Sequence, residues 1–389
     1  MKSNIGTLKV KKTSSHRQSS KRGKTNLKKR LGGKLLNKGA YGCVFSPPLI
    51  CSKDTNSSAI YNTNVSKLML KKNAISEKYI SSIIRKIPFN EAYFVTIATS
   101  CDFGTHQQNA NIGKCNVAKR PANTLELLIS EFSGNAFNKK LIQQVKTIPV
   151  TRIFNKDSFL SFVIHILEAV ALMTFYGIVH RDLHAGNILV DVKGVPRIID
   201  FNLSVLVQHI TYQNAIKKLL VGSDLFNNYQ ISPEFIILNS IANNKSEPVI
   251  IEKMLQSGMM YTYMTFFNLQ LSEISASLKN IYKDVINTVP VPNNETVQKQ
   301  YLKHYTKQDV WAVGHIFMYI LNTDSELKSE LEQFDTVSHI PSVWNNLVNI
   351  VIPEIGMLDP RYRMTAVDAL KMLSPESRVL EHINSEMLK

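Results

Sequence analysis

The apolar residues of this chain fall into one long run and several short ones. The long run, from Phe159 to Val179, fits a buried helix, and its single histidine and single glutamate argue against a membrane span. The short runs at 127–129, 188–190 and 197–199 have the length of strands. The hydrophobic pattern therefore predicts a chain that mixes helices with strands.

Two further stretches differ from this pattern. Residues 48–64 are polar and rich in Ser and Asn, which indicates a loop between strands. Residues 254–286 space their apolar side chains as a helix does and include several aromatic residues. We interpret the second stretch as part of an inserted helical subdomain, which either packs into the core or docks a partner.

Three polar side chains flank the short strands at 188–190 and 197–199. Asp182 and Asn187 precede the first strand, and Asp200 follows the second. One carboxylate can orient or deprotonate an attacking hydroxyl, while an amide and a second carboxylate can hold Mg²⁺ on nucleotide phosphates. The pattern predicts a phosphoryl-transfer site in which Asp182 is catalytic and Asn187 and Asp200 bind the metal.

The same segments resemble the eukaryotic-type protein kinases. The residues from His180 to Asn187 match H-R-D-L-x-x-x-N, and Asp200 with Phe201 matches the first two positions of D-F-G. The resemblance covers about residues 31–375. A finer likeness, to the divergent serine/threonine kinases of large DNA viruses, comes from a Val-Ser-Lys-Leu-Met strand, an Ala-x-x-Glu helix and the HRDLHAGNIL loop.

Other kinase elements occur in the expected order. Residues 232–234 match A-P-E, residues 309–314 match the D-x-W-S-x-G helix start, and residues 359–365 match the last kinase element. The resemblance implies that Arg363 pairs with Glu234 and ties the activation segment to the larger lobe.

The implied fold class is α+β: a bilobal, protein-kinase-like fold with a small β-rich lobe and a larger helical lobe. The chain would comprise a basic tail at 1–30, an N-lobe at 31–129 and a C-lobe at 130–389. The helical insertion would occupy about 241–300. Residues 130–134 would form the hinge that meets the adenine edge.

The resemblance places the nucleotide in the N-lobe. Residues 37–44 fit G-x-G-x-x-G-x-V, with Asn37 in place of the first glycine. Lys67 is the expected partner of the α- and β-phosphates, and Glu77 its helical ion-pair partner. Lys71 has the same strand parity as Lys67, but it leaves too few residues before Glu77 for the strand to turn into a helix.

The resemblance implies ATP and Mg²⁺ as cofactors. The implied catalytic residues are Asp182, Lys67 and Asn187, and the implied metal ligands are Asn187 and Asp200. The residues expected to bind the nucleotide are Leu36, Asn37, Lys38, Gly39, Ala40, Tyr41, Gly42, Cys43, Val44, Lys67 and Glu77.

Four positions depart from the family pattern. Asn37 and Asn202 replace glycines, and Asn accepts left-handed backbone angles better than most residues. His184 stands where Ser/Thr kinases carry a lysine, and a protonated imidazole there would make activity fall as the pH rises. The threonine that precedes A-P-E in many Ser/Thr kinases has no clear counterpart, and Asn227 stands near its place.

The segment from Asp200 to Glu234 is long enough to be a regulatory loop. Arg181 lies beside the catalytic carboxylate and is expected to pair with a phosphate on this segment. The candidate phosphate acceptors are Ser204, Thr211, Tyr212 and Ser223.

The net charge of +16 comes mostly from the N-terminal tail. Residues 1–34 hold 12 Lys and Arg and no acidic residue; removing them from the 46 of the whole chain leaves 34 against 30 Asp and Glu. We expect the tail to be disordered in isolation. It could bind an anionic partner, either nucleic acid or lipid, act as a nuclear address, or lack a dedicated partner.

The cysteine pattern contains no C-x-x-C pair and no zinc spacing. We therefore expect an intracellular, reducing compartment, which for a viral chain means the host cytoplasm or the virion. Cys43, in the nucleotide loop, is expected to be a small packing residue. The Lys-rich start lacks the apolar region of a signal peptide.

These features predict a protein kinase that transfers the γ-phosphate of Mg-ATP to Ser/Thr hydroxyls of protein substrates. One alternative is a pseudokinase scaffold, which Asn37 and Asn202 would permit. A second is a small-molecule phosphotransferase, because residues 183–187 also resemble the loops of antibiotic and choline kinases. A third is a nucleic-acid-binding protein that works through its tail.

Overall fold

The computed structural model describes residues 33–52, 63–104, 112–137, 154–211, 213–220, 224–288, 293–332 and 342–389. The basic tail, most of the polar loop predicted at 48–64, and the acceptors Tyr212 and Ser223 lie outside the described residues.

A five-stranded antiparallel sheet forms the first lobe. Its strands are β1 (Lys34–Lys38), β2 (Gly42–Ser46), β3 (Asn64–Leu70), β4 (Thr99–Asp102) and β5 (Leu125–Glu131). They lie in the order β1-β2-β3-β5-β4. The register pairs Val44 of β2 with Lys67 of β3, and Lys67 with Leu128 of β5. Lys67 therefore projects from the central strand of the sheet.

Two helices join this sheet to the second lobe. Helix α1 (Lys71–Ile84) begins directly after β3 and buries Glu77 on its inner face. Helix α2 (Asn90–Tyr93) follows and leads to Phe94, which forms a bridge with Ile198 of the second lobe. Because α1 starts at Lys71 itself, Lys71 could not have been the partner of Glu77.

All four cysteines are paired, which their spacing did not predict, whereas the burial of Cys43 agrees with its predicted packing role. Two disulfides, Cys43–Cys115 and Cys51–Cys101, tie the sheet to its connecting segments. Cys43 and Cys115 are buried in a small apolar core beneath β2 and β3. The intracellular, reducing location therefore loses the argument on which it rested, and it stays a prediction that the fold does not test.

Helices build most of the second lobe, beginning with α3 (Lys156–Phe175), which the sequence predicted as a buried helix. By length and composition alone α3 could cross a membrane, but about half of it is buried against its neighbours, as expected of a core helix. The other helices are α4 (Ala215–Leu219), α5 (Pro233–Ala242), α6 (Glu247–Leu255), α7 (Gly258–Phe267), α8 (Leu271–Thr288), α9 (Asn294–His304), α10 (Gln308–Thr323), α11 (Ser325–Glu332), α12 (Val343–Asn345), α13 (Ile352–Ile355), α14 (Ala366–Leu373) and α15 (Arg378–Met387).

Short strands complete the second lobe near the cleft. They are β6 (Asn135–Ala136), β7 (Ile178–Val179), β8 (Ile188–Val190), β9 (Pro196–Ile198) and β10 (Val205–Leu206). Strands β6, β8 and β9 form one small sheet, and β7 pairs with β10. The strands predicted at 188–190 and 197–199 are thus present, the second displaced by one residue.

The stretch predicted as an inserted helical subdomain is helical. Helix α7 packs on α10, and α8 packs on α5 and α6. Met260 of α7 and Leu278 of α8 belong to the main hydrophobic core. Core packing is therefore one role of this stretch, and the bilobal α+β architecture predicted from the sequence is confirmed.

Candidate active site

The β8–β9 hairpin brings Asn187 and Asp200 together. Ile188 pairs with Ile198, and the N–H of Ile199 donates to the carbonyl of Asn187 at 3.0 Å. Asn187 directly precedes β8 and Asp200 follows β9, so both residues lie at the open end of the hairpin. Two segments separated by 13 residues in sequence thus converge at one end of a small sheet.

Asp200 adopts a left-handed backbone conformation, with φ of 67°. A non-glycine residue rarely takes this conformation, and strain of this kind concentrates at functional sites. Asn202 instead lies in a 3₁₀ turn, Phe201–Leu203, and is not among the residues with positive φ. The tolerance of Asn for left-handed angles is therefore not used at Asn202, because the left-handed residue lies two positions earlier, at Asp200.

Lys67 lies between two carboxylates at the back of the cleft. Its Nζ is 2.8 Å from Glu77 Oε2 and 2.8 Å from Asp200 Oδ1. Glu77 reaches it from the second turn of α1, and Asp200 from the end of β9. The three predicted residues thus form one ionic network that joins the sheet, the helix and the second lobe.

The charges in this network shift one another's pKa values. Burial alone would lower the pKa of Lys67, but the adjacent carboxylates outweigh it and raise that pKa. Burial would raise the pKa of Asp200, but the Lys67 ammonium outweighs it and lowers that pKa. Burial, aided by the charge of Asp200, raises the pKa of Glu77. Lys67 is therefore cationic and Asp200 anionic at neutral pH.

Asp182 is surrounded by neutral groups. Its Oδ1 accepts a hydrogen bond from Gln230 Nε2 at 2.9 Å, and its Oδ2 lies 3.4 Å from Asn187 Nδ2. The same Asn187 amide donates to the Asp182 main-chain carbonyl at 2.9 Å. Sequence reasoning missed Gln230, because nothing in the spacing links it to Asp182 across 48 residues.

His184 is not the cation that the sequence suggested. Burial lowers its pKa below the usual 6.5, although the charge of Asp182 opposes this. Its Nδ1 accepts a hydrogen bond from Gly186 N–H at 3.0 Å, which a protonated ring could not do. The imidazole is therefore neutral at pH 7, and the predicted fall of activity as the pH rises through neutrality loses its basis.

Two main-chain amides of the catalytic loop bind one buried carboxylate. Asp309, at the start of α10, accepts from His180 N–H at 2.7 Å and from Arg181 N–H at 3.1 Å. Arg181 has φ of 65°, so this contact stabilises a strained turn immediately before Asp182. The predicted element at 309–314 thus holds the backbone that presents Asp182.

The His180 ring connects this loop to the β9 end. Its Nε2 lies 2.9 Å from the Ile199 carbonyl, and its Nδ1 lies 3.2 Å from Asp182 N–H. Its face packs against Phe201, with ring centroids 5.1 Å apart. His180 therefore fixes the spacing between the segments that carry Asp182 and Asp200.

The predicted nucleotide loop divides into three groups. Leu36, Asn37 and Val44 line the cleft. The turn that joins β1 to β2 is exposed and comprises Lys38, Gly39, Ala40 and Tyr41. Gly42 and Cys43 are buried against the sheet.

The two loop glycines serve different purposes. The Gly39 N–H donates to the Gly42 carbonyl at 2.8 Å and closes the turn, and a Cβ on Gly39 would meet only Gly42 O, at 3.9 Å. A Cβ on Gly42 would lie 2.6 Å from the Leu68 carbonyl. Gly42 is therefore required by the close approach of β2 to β3.

Asn37 lies at an irregularity in β1. The register with β2 shifts between Leu35 and Asn37, and Asn37 Oδ1 accepts from Lys38 N–H at 3.0 Å. Its φ is not positive. The tolerance of Asn for unusual backbone angles is thus not needed at Asn37, because the shift in register lets this loop turn without a glycine there.

The cleft between the lobes offers apolar walls and a polar base. The predicted hinge residues 130–134 line it, with Val65, Leu128 and Leu189 among the apolar side chains. Among the described residues no cluster of three or more His, Cys, Asp or Glu could hold a metal. A metal held by Asp200 and Asn187 would need phosphate and water oxygens to complete its coordination, and this donor set suits Mg²⁺.

Arg181 already has partners for its terminal nitrogens. Nη1 donates to the Lys218 carbonyl at 2.9 Å and Nη2 to the Leu219 carbonyl at 2.7 Å, both at the C-terminus of α4. A cation is favourable at that end of a helix. The predicted pairing of Arg181 with a phosphate is therefore replaced here by contacts with the main chain of the activation segment.

Helix α9 also binds the backbone of the activation segment. Gln298 Nε2 donates to the Ile210 carbonyl at 2.7 Å, and Asn294 Oδ1 accepts from Ile216 N–H at 2.9 Å. Together with Arg181, these side chains hold the main chain of the segment on two sides.

The predicted pair between Arg363 and Glu234 is confirmed. Nη1 and Nη2 of Arg363 donate to the two carboxylate oxygens at 2.9 and 3.0 Å, and both residues are buried. Arg363 also donates to the carbonyls of Met357, Lys307 and Leu358. This contact anchors the start of α5, and with it the end of the activation segment.

Comparison with known proteins agrees with this geometry. Residues 106–249 match the family model of the protein kinase domain, a segment that contains the catalytic loop, Asp200 and the A-P-E element. No curated protein matches the chain. The family match and the bilobal fold together support a phosphotransferase of the eukaryotic-type protein kinase superfamily.

Proposed function

We propose that this protein transfers the γ-phosphate of ATP to serine or threonine hydroxyls of proteins, with Mg²⁺ as the metal. The observation that carries the proposal is the position of Lys67 Nζ, 2.8 Å from both Glu77 and Asp200. This network aligns a cation for phosphates beside a carboxylate that can hold a metal.

The side chains divide the chemistry among them. Lys67, oriented by Glu77, binds the α- and β-phosphates. Asp182 orients or accepts the proton of the attacking hydroxyl. Asp200 and Asn187 hold Mg²⁺, which when bound neutralises charge on the phosphates. Most of the rate gain then comes from positioning and electrostatics.

A protein kinase domain implies protein substrates. We further propose that the basic tail at 1–30 binds an anionic partner, because it holds 11 Lys and Arg and no acidic residue. An intracellular location, in host cytoplasm or virion, and a likeness to viral kinases stay predictions.

The test is transfer of labelled γ-phosphate from Mg-ATP to a panel of acidic and basic proteins, followed by phosphoamino-acid analysis. Phosphoserine or phosphothreonine that disappears in Asp182→Ala would support the proposal. Phosphotyrosine alone would overturn the Ser/Thr specificity. A folded protein that binds nucleotide but transfers phosphate to no protein, itself included, would favour the alternative of a pseudokinase scaffold.

A further inference from the structure

The catalytic carboxylate is bound by a side chain of the segment that precedes α5. Gln230 Nε2 donates to Asp182 Oδ1 at 2.9 Å, which is the shortest hydrogen bond to that carboxylate among the described residues. Gln230 lies four residues before Glu234. Asn227, to which the sequence pointed as the residue near this place, is exposed.

Gln230 is attached to a firmly held backbone. The carbonyl of the preceding residue, Tyr229, accepts from Trp311 Nε1 at 3.0 Å. The Tyr229 ring stacks on His315, with centroids 4.9 Å apart and planes 25° from parallel. Both contacts come from α10, the helix that also binds the catalytic loop through Asp309. Gln230 therefore projects from a fixed point towards Asp182.

The other oxygen of the carboxylate is less engaged. Asp182 Oδ2 lies 3.4 Å from Asn187 Nδ2, at the long limit of a hydrogen bond, and 4.0 Å from His184 Nε2. With Oδ1 fixed by this donor, the carboxylate presents its second oxygen in a defined direction.

We propose that Gln230 is a positioning residue for Asp182. Its amide holds Oδ1 and leaves Oδ2 to orient or accept the proton of the substrate hydroxyl. The inference deepens the proposed kinase function and rests on it. Because Gln230 belongs to the activation segment, Asp200 to Glu234, it also ties the geometry of the Asp182 carboxylate to the correct placement of that segment.

The proposal requires the N–H donor of the Gln230 side chain and not its volume. Gln230→Met and Gln230→Glu keep the length of the side chain and remove the N–H donor, whereas Gln230→Lys restores a donor at similar reach. We expect kcat to fall roughly ten- to hundredfold in the Met and Glu variants, the usual effect of losing a hydrogen bond to a charged group. The Lys variant should keep most of kcat, and KM for ATP should be unchanged in all three.

Asn227→Ala is the matched control, since Asn227 lies on the same segment and is exposed. Wild-type kcat in the Met and Glu variants would overturn the proposal, and so would an equal loss in all three variants, which would show that an N–H donor at this position does not preserve activity. Thermal unfolding identifies any variant that does not fold. Gln230→Asn then replaces that variant. Its shorter side chain keeps the N–H donor too far from Asp182, so its kcat is expected to fall. A wild-type protein that folds and binds ATP without transfer would instead refute the proposed function.

Discussion

The two sides of the cleft are constructed differently. On the catalytic side, Asp182 and Asp200 are each bound by a side chain from a distant part of the chain, Gln230 and Lys67 respectively. On the nucleotide-loop side, the hydrogen bonds are local: Gly39 N–H donates to the Gly42 carbonyl, three residues away. The catalytic side therefore depends on particular side chains, whereas the loop depends on its backbone path.

This difference bears on how each side of the cleft tolerates substitution. Under the proposed function, Asp182, Asn187 and Asp200 cannot be exchanged, because each one must present oxygen at a fixed place. The loop accepts Asn37 because a shift in register shapes its backbone. Substitutions on the catalytic side should thus reduce activity or stability far more than substitutions in the loop.

The largest effect is expected at Asp182. Asp182→Asn keeps the shape and removes the proton acceptor, so kcat should fall about a hundred- to ten-thousandfold while ATP binding persists. Steady-state kinetics with ATP and a protein substrate measure this. Asp191→Asn, in the turn of the β8–β9 hairpin, is the control and should be close to wild type, because its amide oxygen can still accept from Lys193 N–H and Val195 N–H. Equal activities of the two variants would contradict the role of Asp182.

Next in size is the Arg363–Glu234 pair. Arg363→Ala would leave the Glu234 charge buried without its partner, so the free energy of unfolding should fall by about 3–5 kcal/mol. Arg361→Ala, which breaks the more exposed pair with Asp359, should cost no more than about 1 kcal/mol. Denaturant unfolding compares the two. Similar losses would mean that burial does not distinguish these pairs.

The third effect is a loss of stability in acid. Burial lowers the pKa of His315 to about 4, and burial also lowers the pKa values of His165 and His304. The unfolded chain protonates first, near the ordinary value of 6.5, so stability is complete above that pH and is lost as the pH falls towards 4. His315 alone should account for about 3 kcal/mol of this loss.

Unfolding by urea at pH 7 and pH 5 tests this dependence. His315→Gln should unfold with a smaller difference between the two pH values than wild type, because one buried titrating group is gone. If the free energy of unfolding changed between pH 7 and pH 5 by the same amount in His315→Gln and wild type, His315 would not titrate in this way. The packing around Tyr229 would then be looser than its contact with His315 indicates.

Smaller effects are expected from the two loop glycines. Gly42→Ala would force Cβ against the Leu68 carbonyl at 2.6 Å and should destabilise the N-lobe by about 1–3 kcal/mol. Gly39→Ala has space for its Cβ and should change the midpoint temperature of unfolding little. Thermal unfolding of both variants decides the point. An equal loss would contradict the distinction between the two glycines.

The smallest effect is expected at Asn37. Asn37→Gly restores the family pattern, yet the register shift already gives the loop its path. The change should alter KM for ATP by less than about fivefold, equivalent to roughly 1 kcal/mol. Initial rates measured over a range of ATP concentrations give this KM. A much larger improvement would mean that Asn37 impairs the site, and would weaken the contrast between the two sides of the cleft.

Much of the fold and the pairing within the site could be predicted from the sequence. Lys67, Glu77 and Asp200 were identified by motif and form one network, and the pair of Arg363 and Glu234 is present as expected. These predictions succeeded because each residue belongs to a short motif whose position in the fold is constrained on both sides.

The errors share a physical cause: each depended on contacts that no local pattern encodes. Gln230 meets Asp182 across 48 residues. Burial lowers the pKa of His184, and each disulfide joins a strand of the sheet to a segment outside it, Cys43 to Cys115 and Cys101 to Cys51. Arg181 pairs with carbonyls of α4 because that short helix ends beside it, which only the folded path of the activation segment reveals.

The central claim is that Lys67 aligns ATP for transfer within this network. The most direct measurement compares the initial rate of labelled γ-phosphate transfer by Lys67→Ala and by Lys71→Ala, at saturating Mg-ATP. Lys71 lies four residues further on and pairs with Asp102. The account predicts a loss on the order of a hundredfold or more for Lys67→Ala and nearly full activity for Lys71→Ala. Equal rates in the two variants, both folded, would contradict it.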